Sequence, residues 1–336
     1  MNLKRAVAVI DSHTAGEPTR IVVGGAPRLK GATIQEKWID LRERHGDFRK
    51  FIMWEPRGHR DMYGALLVPP VSPKAHFGVL FMDVGGSKSM CGHGSIGVAC
   101  TLVELGMIPK KEPITTVILE TPAGLIHLKV DVKHGVVGDV ELQNVPSFVE
   151  SMGLEVPFPA PFGKGKVDIS FGGNFFAIVD ASFFGLELVP NEVEKIRMLG
   201  MGILNEVNKY IQVQHPLESS LNKVTNIIFS LESPGRITKN AEVGLNGNVD
   251  RSPCGTGTCA KMALLAERGE LSPGEIFYHE GLIGTVFTGF FQWGEMLGNV
   301  KTILPSIRGR SHVTGFNWLL EDDGDDLLPG FCLGRL

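Results

Sequence analysis

The sequence predicts an α/β protein of the α+β kind, made of two pseudo-symmetric halves, each a curled sheet around a central helix. Three observations lead there. The first is an internal repeat. Cys91-Gly-His-Gly-Ser and Cys254-Gly-Thr-Gly-Thr each run through an apolar stretch to a Glu 13 residues after the Cys and a Gly 15 after it. Asp11, Gly16 and Ile21 map onto Asp168, Gly173 and Ile178 at an offset of 157, and Glu120 and Gly124 map onto Glu280 and Gly284 at 160. A register kept through three blocks implies tandem duplication of a unit of about 160 residues. The second observation is that strand-like segments outnumber helical ones without regular βαβ alternation, which argues against a doubly wound fold. The third is that small residues follow each Cys-Gly-x-Gly. A helix so narrow can sit close to strands wrapped around it.

Each half repeats one order of elements. A strand pair opens it, VAVID then TRIVVGG in the first half and VDISFGG then FFAIVDA in the second. A helix follows: Ile34, Trp38, Leu41, His45 and Phe48 fall at helical spacing, as do Val193, Ile196, Leu199, Ile203, Val207 and Tyr210. Short strands come next, such as Ala65-Leu-Leu-Val and Phe77-Gly-Val-Leu-Phe-Met. The Cys-Gly-x-Gly turn then leads into the small-residue helix, Ser95 to Leu105 or Thr258 to Arg268. Alternating strands close the unit: Thr115 to Glu120 and Leu125 to Val132, matched by Glu275 to His279 and Thr285 to Phe291. The boundary falls near Asn144-Val-Pro146. Residues 1–145 thus form the first half and 146–316 the second, and 317–336 can pack back on the first. The Pro- and Gly-rich stretch from Val156 to Lys166 reads as punctuation, and the acidic run Glu321 to Asp326 as a solvated turn.

Composition narrows the class of function. Of 336 residues, 43% are hydrophobic and 21% charged, a balance that excludes long disorder and a coiled coil and predicts no membrane span. The formal net charge of −4 and the lack of a basic run make nucleic acid and anionic membranes poor partners. The apolar stretch before Asp11 is too short for a signal peptide, and five cysteines are too few for a disulfide framework. The expected location is the reducing cytoplasm.

The chemistry is expected at the two cysteines. A Cys followed by Gly at a helix mouth meets the unpaired amides of the first turn and the positive end of the dipole. These groups stabilise a bound carboxylate and lower a thiol pKa from about 8.5 toward neutrality. Two such thiols at equivalent places in duplicated halves would flank one small ligand if the halves pack about a pseudo-dyad. Opposed acid/base groups are what a racemase needs, one to take the Cα proton and one to return a proton on the other face. The alternative for either Cys is a buried small hydrophobe, which is the expectation for Cys100, Cys259 and Cys332. His93 and Asp250 break the pseudo-symmetry and could hold a substrate amine; a turn hydrogen bond or an ion pair with Arg251 is their structural alternative. Cys91-x-His93 is half a zinc pair that nothing completes, so no metal is expected. Gly92-His-Gly94-Ser-Ile-Gly97 matches a dinucleotide fingerprint, but Ser87-Lys-Ser-Met separates it from the preceding strand, and the second copy lacks the third Gly. With no pyridoxal-lysine or Walker motif either, no cofactor is expected.

Met90-Cys-Gly-His-Gly94 and Asp250-Arg-Ser-Pro-Cys-Gly-Thr-Gly257 resemble the two signature motifs of the proline racemase family, which includes 4-hydroxyproline 2-epimerases and trans-3-hydroxy-L-proline dehydratases. Asp11 to Arg20, Glu55-Pro-Arg-Gly-His59 and Gly172-Gly-Asn-Phe-Phe176 resemble it too. The resemblance implies a diaminopimelate-epimerase-like fold, cofactor-free chemistry on an imino acid, and a homodimer. It implies Cys91 and Cys254 as the acid/base pair. The amides of Gly92, His93, Gly255 and Thr256 would hold the carboxylate, and His93 and Asp250 would contact the ring nitrogen. Dehydratases of the family usually carry Thr at the position of Cys254, so two cysteines favour racemisation or epimerisation. Tyr63 resembles the dehydratases, Gly244 stands where proline racemases carry Phe, and Ser89 adds a possible hydroxyl donor. The wall left open at Gly244 makes a substituted ring plausible. The rival readings are a lyase dehydrating 3-hydroxyproline and a non-catalytic amino-acid-binding or redox-sensing relative.

Overall fold

The computed structural model describes residues 3–219, 221–233 and 237–333. The chain opens with β1 (Leu3–Thr14), β2 (Glu17–Gly24), α1 (Ile34–Arg44), α2 (Gly46–Met53), β3 (Tyr63–Val68), β4 (Phe77–Asp83) and β5 (Ser87–Lys88). It continues through α3 (Gly92–Glu104), β6 (Ile114–Thr121), β7 (Gly124–Lys133) and β8 (Val136–Gln143). The second series is β9 (Phe148–Pro157), β10 (Lys164–Phe171), β11 (Phe175–Asp180), α4 (Val193–Tyr210), β12 (Val224–Glu232) and β13 (Ile237–Gly244). After it come α5 (Gly255–Glu267), β14 (Phe277–Glu280), β15 (Val286–Trp293), β16 (Ile303–Gly309) and β17 (Ser311–Asp322).

The chain divides into two compact units, residues 3–142 with 309–333, and residues 143–308. In the first, the strands pair in the order β17-β1-β2-β3-β4-β6-β7-β8; in the second, β9-β10-β11-β12-β13-β14-β15-β16. The seven successive pairings are antiparallel, antiparallel, parallel, antiparallel, parallel, antiparallel and antiparallel in both units. The repeated sequence register is therefore also a repeated hydrogen-bond pattern. β17, last in the chain, occupies the place that β9 holds in the second unit. The return to the first unit comes at Gly309, ahead of the 316/317 boundary read from sequence, because β17 pairs along the length of β1 from Thr14↔Ser311 to Leu3↔Asp322. The acidic run is more than a solvated turn: Asp325 accepts a hydrogen bond from Arg57 Nη2 at 2.7 Å, which ties the chain end to the first unit.

Each sheet curls around its small-residue helix. α3 touches β17, β1 and β2 from one end of the order and β6 and β7 from the other; α5 touches β9, β10 and β11 as well as β15. Nearly every residue of both helices is buried, including all from Gly92 to Val103. A helix apolar all round must lie inside. Glycines permit the close approach: a Cβ on Gly97 would lie 3.2 to 3.4 Å from the hydroxyls of Thr19, Thr14 and Ser12. Both helices end on a glycine in the left-handed region, Gly106 and Gly269, each with φ 71°, which explains the repeated Glu-x-Gly. The outer face of each sheet is covered by the amphipathic helices, α1 and α2 over the first and α4 over the second. The helix read from Ile34 to Phe48 breaks in two at His45, before Gly46, a poor helix former. Thr33 starts α1 with a reciprocal capping box to Glu36.

Candidate active site

The two Cys-Gly-x-Gly segments do the same thing in both units. Cys91 is the N-cap of α3 and Cys254 the N-cap of α5. The first helical bonds run from Ser95 N to the Cys91 carbonyl at 2.9 Å and from Thr258 N to the Cys254 carbonyl at 2.7 Å. The amides of Gly92, His93, Gly255 and Thr256 thus come before the first intrahelical donor. The hydroxyl four residues past each Cys donates back to the same carbonyl, Ser95 Oγ at 2.7 Å and Thr258 Oγ1 at 2.8 Å. The second glycine of each motif makes room for the thiol. A Cβ on Gly94 would sit 3.1 Å from Cys91 Sγ, and one on Gly257 would sit 2.9 Å from Cys254 Sγ.

Around Cys91, His93 lies with its ring nitrogens 3.6 and 3.7 Å from the sulfur. Its ring meets Tyr63 edge-on, centroids 4.7 Å apart at 85°. Thr14 Oγ1 donates to the His93 carbonyl at 2.9 Å, which fixes the helix mouth to the β1–β2 hairpin. That hairpin is the Asp11 to Arg20 motif, braced by two Arg20–Asp11 hydrogen bonds of 2.8 and 3.1 Å. The structure thus brings Cys91, Gly92, His93 and Tyr63 together. Ser89 is exposed in the loop between β5 and α3.

Cys254 differs from Cys91 in backbone and setting. Its φ is +62°, a left-handed conformation that costs a side-chain-bearing residue roughly 1–3 kcal/mol and occurs most often at functional sites. Only 6% of it is exposed, among Phe176, Ile178, Ile228, Ala260 and Leu264. Its sulfur and the carboxylate oxygens of Glu242 and Asp250 lie within 4.8 Å of one another. Burial pushes this thiol well above its ordinary pKa, and Glu242 and Asp250 push the same way; the Gly257 amide and the Thr256 hydroxyl, 4.0 Å from the sulfur, pull it down. At Cys254 the direction is opposite to the lowering expected at a helix mouth, because desolvation and two carboxylates outweigh the Gly257 amide and the Thr256 hydroxyl. Asp250 is held by the Ser252 amide, which donates to Oδ1 at 2.7 Å.

Gly244 shares a face of β13 with Glu242, two residues away, and pairs with Asn226. A Cβ there would lie 3.0 Å from Asn246 Oδ1 and 3.7 Å from Asn226 Nδ2. The space left by Gly244 is therefore bordered by two carboxamides rather than simply open. Asn226 Nδ2 donates to Glu242 Oε1 at 2.6 Å. Sequence reasoning missed Glu242, and it missed His279. Because Thr258 donates its one proton to the Cys254 carbonyl, it accepts from His279 Nδ1–H at 2.8 Å. Burial and the charge of Lys261 hold His279 neutral, with a pKa of about 3. The signal for Thr258 was present, since the hydroxyl at Cys plus four recurs in both halves. Cys100 and Cys259 are core thiols, pushed by burial to about 11 and 12. Cys332 is half-buried at the margin of the first unit, not in a core.

The family model described as proline racemase matches residues 9–332. The chain belongs to the proline racemase family. As a member, it is an enzyme of the amino-acid racemase and epimerase type. It is 43% identical over 335 residues to the proline racemase of Clostridioides difficile, covering 99% of this chain and 100% of that one. It is 38% identical over 336 residues to a trans-3-hydroxy-L-proline dehydratase of Bacillus thuringiensis subsp. konkukian, again covering 99% and 100%. The crystal structure of a hydroxyproline epimerase from Agrobacterium vitis, with bound trans-4-hydroxy-L-proline, matches with a TM-score of 0.89 and 33% identity. It covers 99% of this chain and 97% of that one, so the two-half fold expected from the family motifs is the fold found.

Proposed function

We propose that this family member is a cofactor-independent racemase or 2-epimerase of proline or hydroxyproline, working through Cys91 and Cys254. The observation that carries the reading is the equivalent placement of the two thiols, each the N-cap of the central helix of its unit, with a backward-bonded hydroxyl and a thiol-accommodating glycine. One thiolate removes the Cα proton from one face of the imino acid. The amides at the helix mouths hold the carboxylate and stabilise the enolate-like charge that develops on it. The opposite thiol then protonates the other face, so product leaves with inverted Cα and the two sulfurs have exchanged protonation states. Asp250 and His93 receive the ring nitrogen. The enzyme is read as a cytoplasmic homodimer. Its five cysteines are all thiols, and among the described residues no helix is long and apolar enough to cross a membrane.

A second reading, dehydration of trans-3-hydroxy-L-proline, is favoured by Tyr63 and by the dehydratase relative, and disfavoured by Cys254 where those enzymes usually carry Thr. Polarimetry together with ultraviolet absorbance on L-proline, trans-4-hydroxy-L-proline and trans-3-hydroxy-L-proline in parallel separates the two, because only the lyase forms an absorbing ketimine. If two bases are used, Cys91→Ser and Cys254→Ser each abolish inversion of both stereoisomers. Each keeps at most exchange of the Cα proton with deuterated water from one face. Substantial inversion by either variant would overturn the two-base assignment.

A further inference from the structure

Cys254 has a neighbour that the family motifs do not contain. Glu242 projects from β13, is 6% exposed, and lies with Asp250 and the Cys254 sulfur in a set of atoms no more than 4.8 Å apart. Its carboxylate is fixed there by the Asn226 carboxamide at 2.6 Å, and the Asp250 amide donates to its backbone carbonyl at 3.2 Å. The other elements packed against the thiol present apolar groups: Val149 from β9, Phe176 and Ile178 from β11, Ile228 from β12, Ala260 and Leu264 from α5. The charges bearing on the sulfur are Glu242 and Asp250, and the groups opposing them are the Gly257 amide and the Thr256 hydroxyl. We propose that Glu242 is a positioning residue for Cys254: its carboxylate, beside that of Asp250, holds Cys254 in the protonated, proton-donating form.

The physical reason is that an anion beside a buried thiol disfavours a second anion on the sulfur, and low local polarity strengthens the effect. Two carboxylates then do what one cannot. Asp250 is engaged with the Ser252 amide and is assigned to the substrate nitrogen, whereas Glu242 is held by Asn226 and has no such assignment. In the resting enzyme Cys254 is then the acid, so the two directions of inversion start from different protonation states. This role in turnover rests on the racemase reading; the protonation state of the thiol does not.

The test is the pH dependence of alkylation by iodoacetamide, a neutral reagent, in the intact protein, with the Cys254 peptide followed by mass spectrometry. Wild-type Cys254 is expected to alkylate with a midpoint above pH 9, and Glu242→Gln to move that midpoint down by at least about one unit, roughly a tenfold gain in rate at pH 8. Glu242→Asp, which keeps the charge, should keep the midpoint high. A wild-type midpoint at or below the ordinary thiol value of about 8.5 overturns the proposal whether or not the variants fold. So does an unchanged midpoint in a folded Glu242→Gln. Failure of the racemase reading would show separately, as absence of inversion by an enzyme whose Cys254 still titrates high.

Discussion

At the scale of single residues, specificity turns on which polar atoms meet a ring substituent. Tyr63 and His93 meet edge to face, so the Tyr63 ring packs beside Cys91's neighbour at the helix mouth. Tyr63→Phe keeps that packing and removes only the hydroxyl. If the hydroxyl meets the ring substituent, the variant should lower kcat/KM for hydroxyproline by about tenfold while proline changes less than twofold, the usual cost of an unpaired buried polar group. Equal losses on both substrates would show that Tyr63 acts only through His93. Gly244→Phe should shift the ratio toward proline less cleanly, because the new side chain must first displace Asn246. The residues that were legible in the sequence are those tied to the repeat: Cys91, Cys254, their glycines, and His93 as the departure from symmetry. Glu242 was not. A lone acid in a strand reads as solvent-facing, and only the folded sheet buries it beside a thiol.

At the scale of elements, the helix mouths are placed by close backbone packing rather than by side-chain bulk. A Cβ on Gly172, at the β10–β11 turn, would lie 2.2 Å from the Thr256 carbonyl and 2.6 Å from the Ala260 amide, both backbone of α5. Backbone cannot rotate aside, so Gly172→Ala should push the first turns of α5 outward and take Cys254 with them. We expect a loss of at least about 1–3 kcal/mol in urea unfolding, together with a fall in kcat. Gly46→Ala, where nothing lies within 4 Å, is the control and should be neutral or slightly stabilising. A stable, fully active Gly172→Ala would refute the close packing. Element type was legible wherever periodicity was sustained, as in α4, whose bounds Val193 and Tyr210 coincide with the sequence reading. β8, β9, β16 and β17 went unread because each lies outside the repeated blocks, and β9 runs into the proline-rich stretch that reads as punctuation. The break at His45 was hidden by apolar positions that keep helical spacing across it.

At the scale of the whole molecule, the duplication is complete only because the last strand returns to the first unit. The repeat was legible from cysteines, glycines and acids at fixed offsets. The place of β17 was not, since strand order is a long-range property that no local pattern carries. Its pairing has a further consequence. Phe316, Trp318 and Leu320 alternate along β17 and so share a face, and they are 66%, 70% and 40% exposed. Opposite them on β1 stand Ile10, Ala8 and Ala6, two of them too small to cover the rings. Monomeric proteins seldom leave two large aromatics and a leucine so open on one strand. If the protein is a homodimer, this stripe is a natural part of its interface, and a charge placed there must be desolvated on association. Trp318→Glu is therefore expected to shift the sedimentation profile from dimer toward monomer at micromolar concentration. Its circular dichroism should be retained, because the side chain faces away from the core residues Val7 and Val9. A Trp318→Glu protein that sediments as the wild type does would place the interface elsewhere.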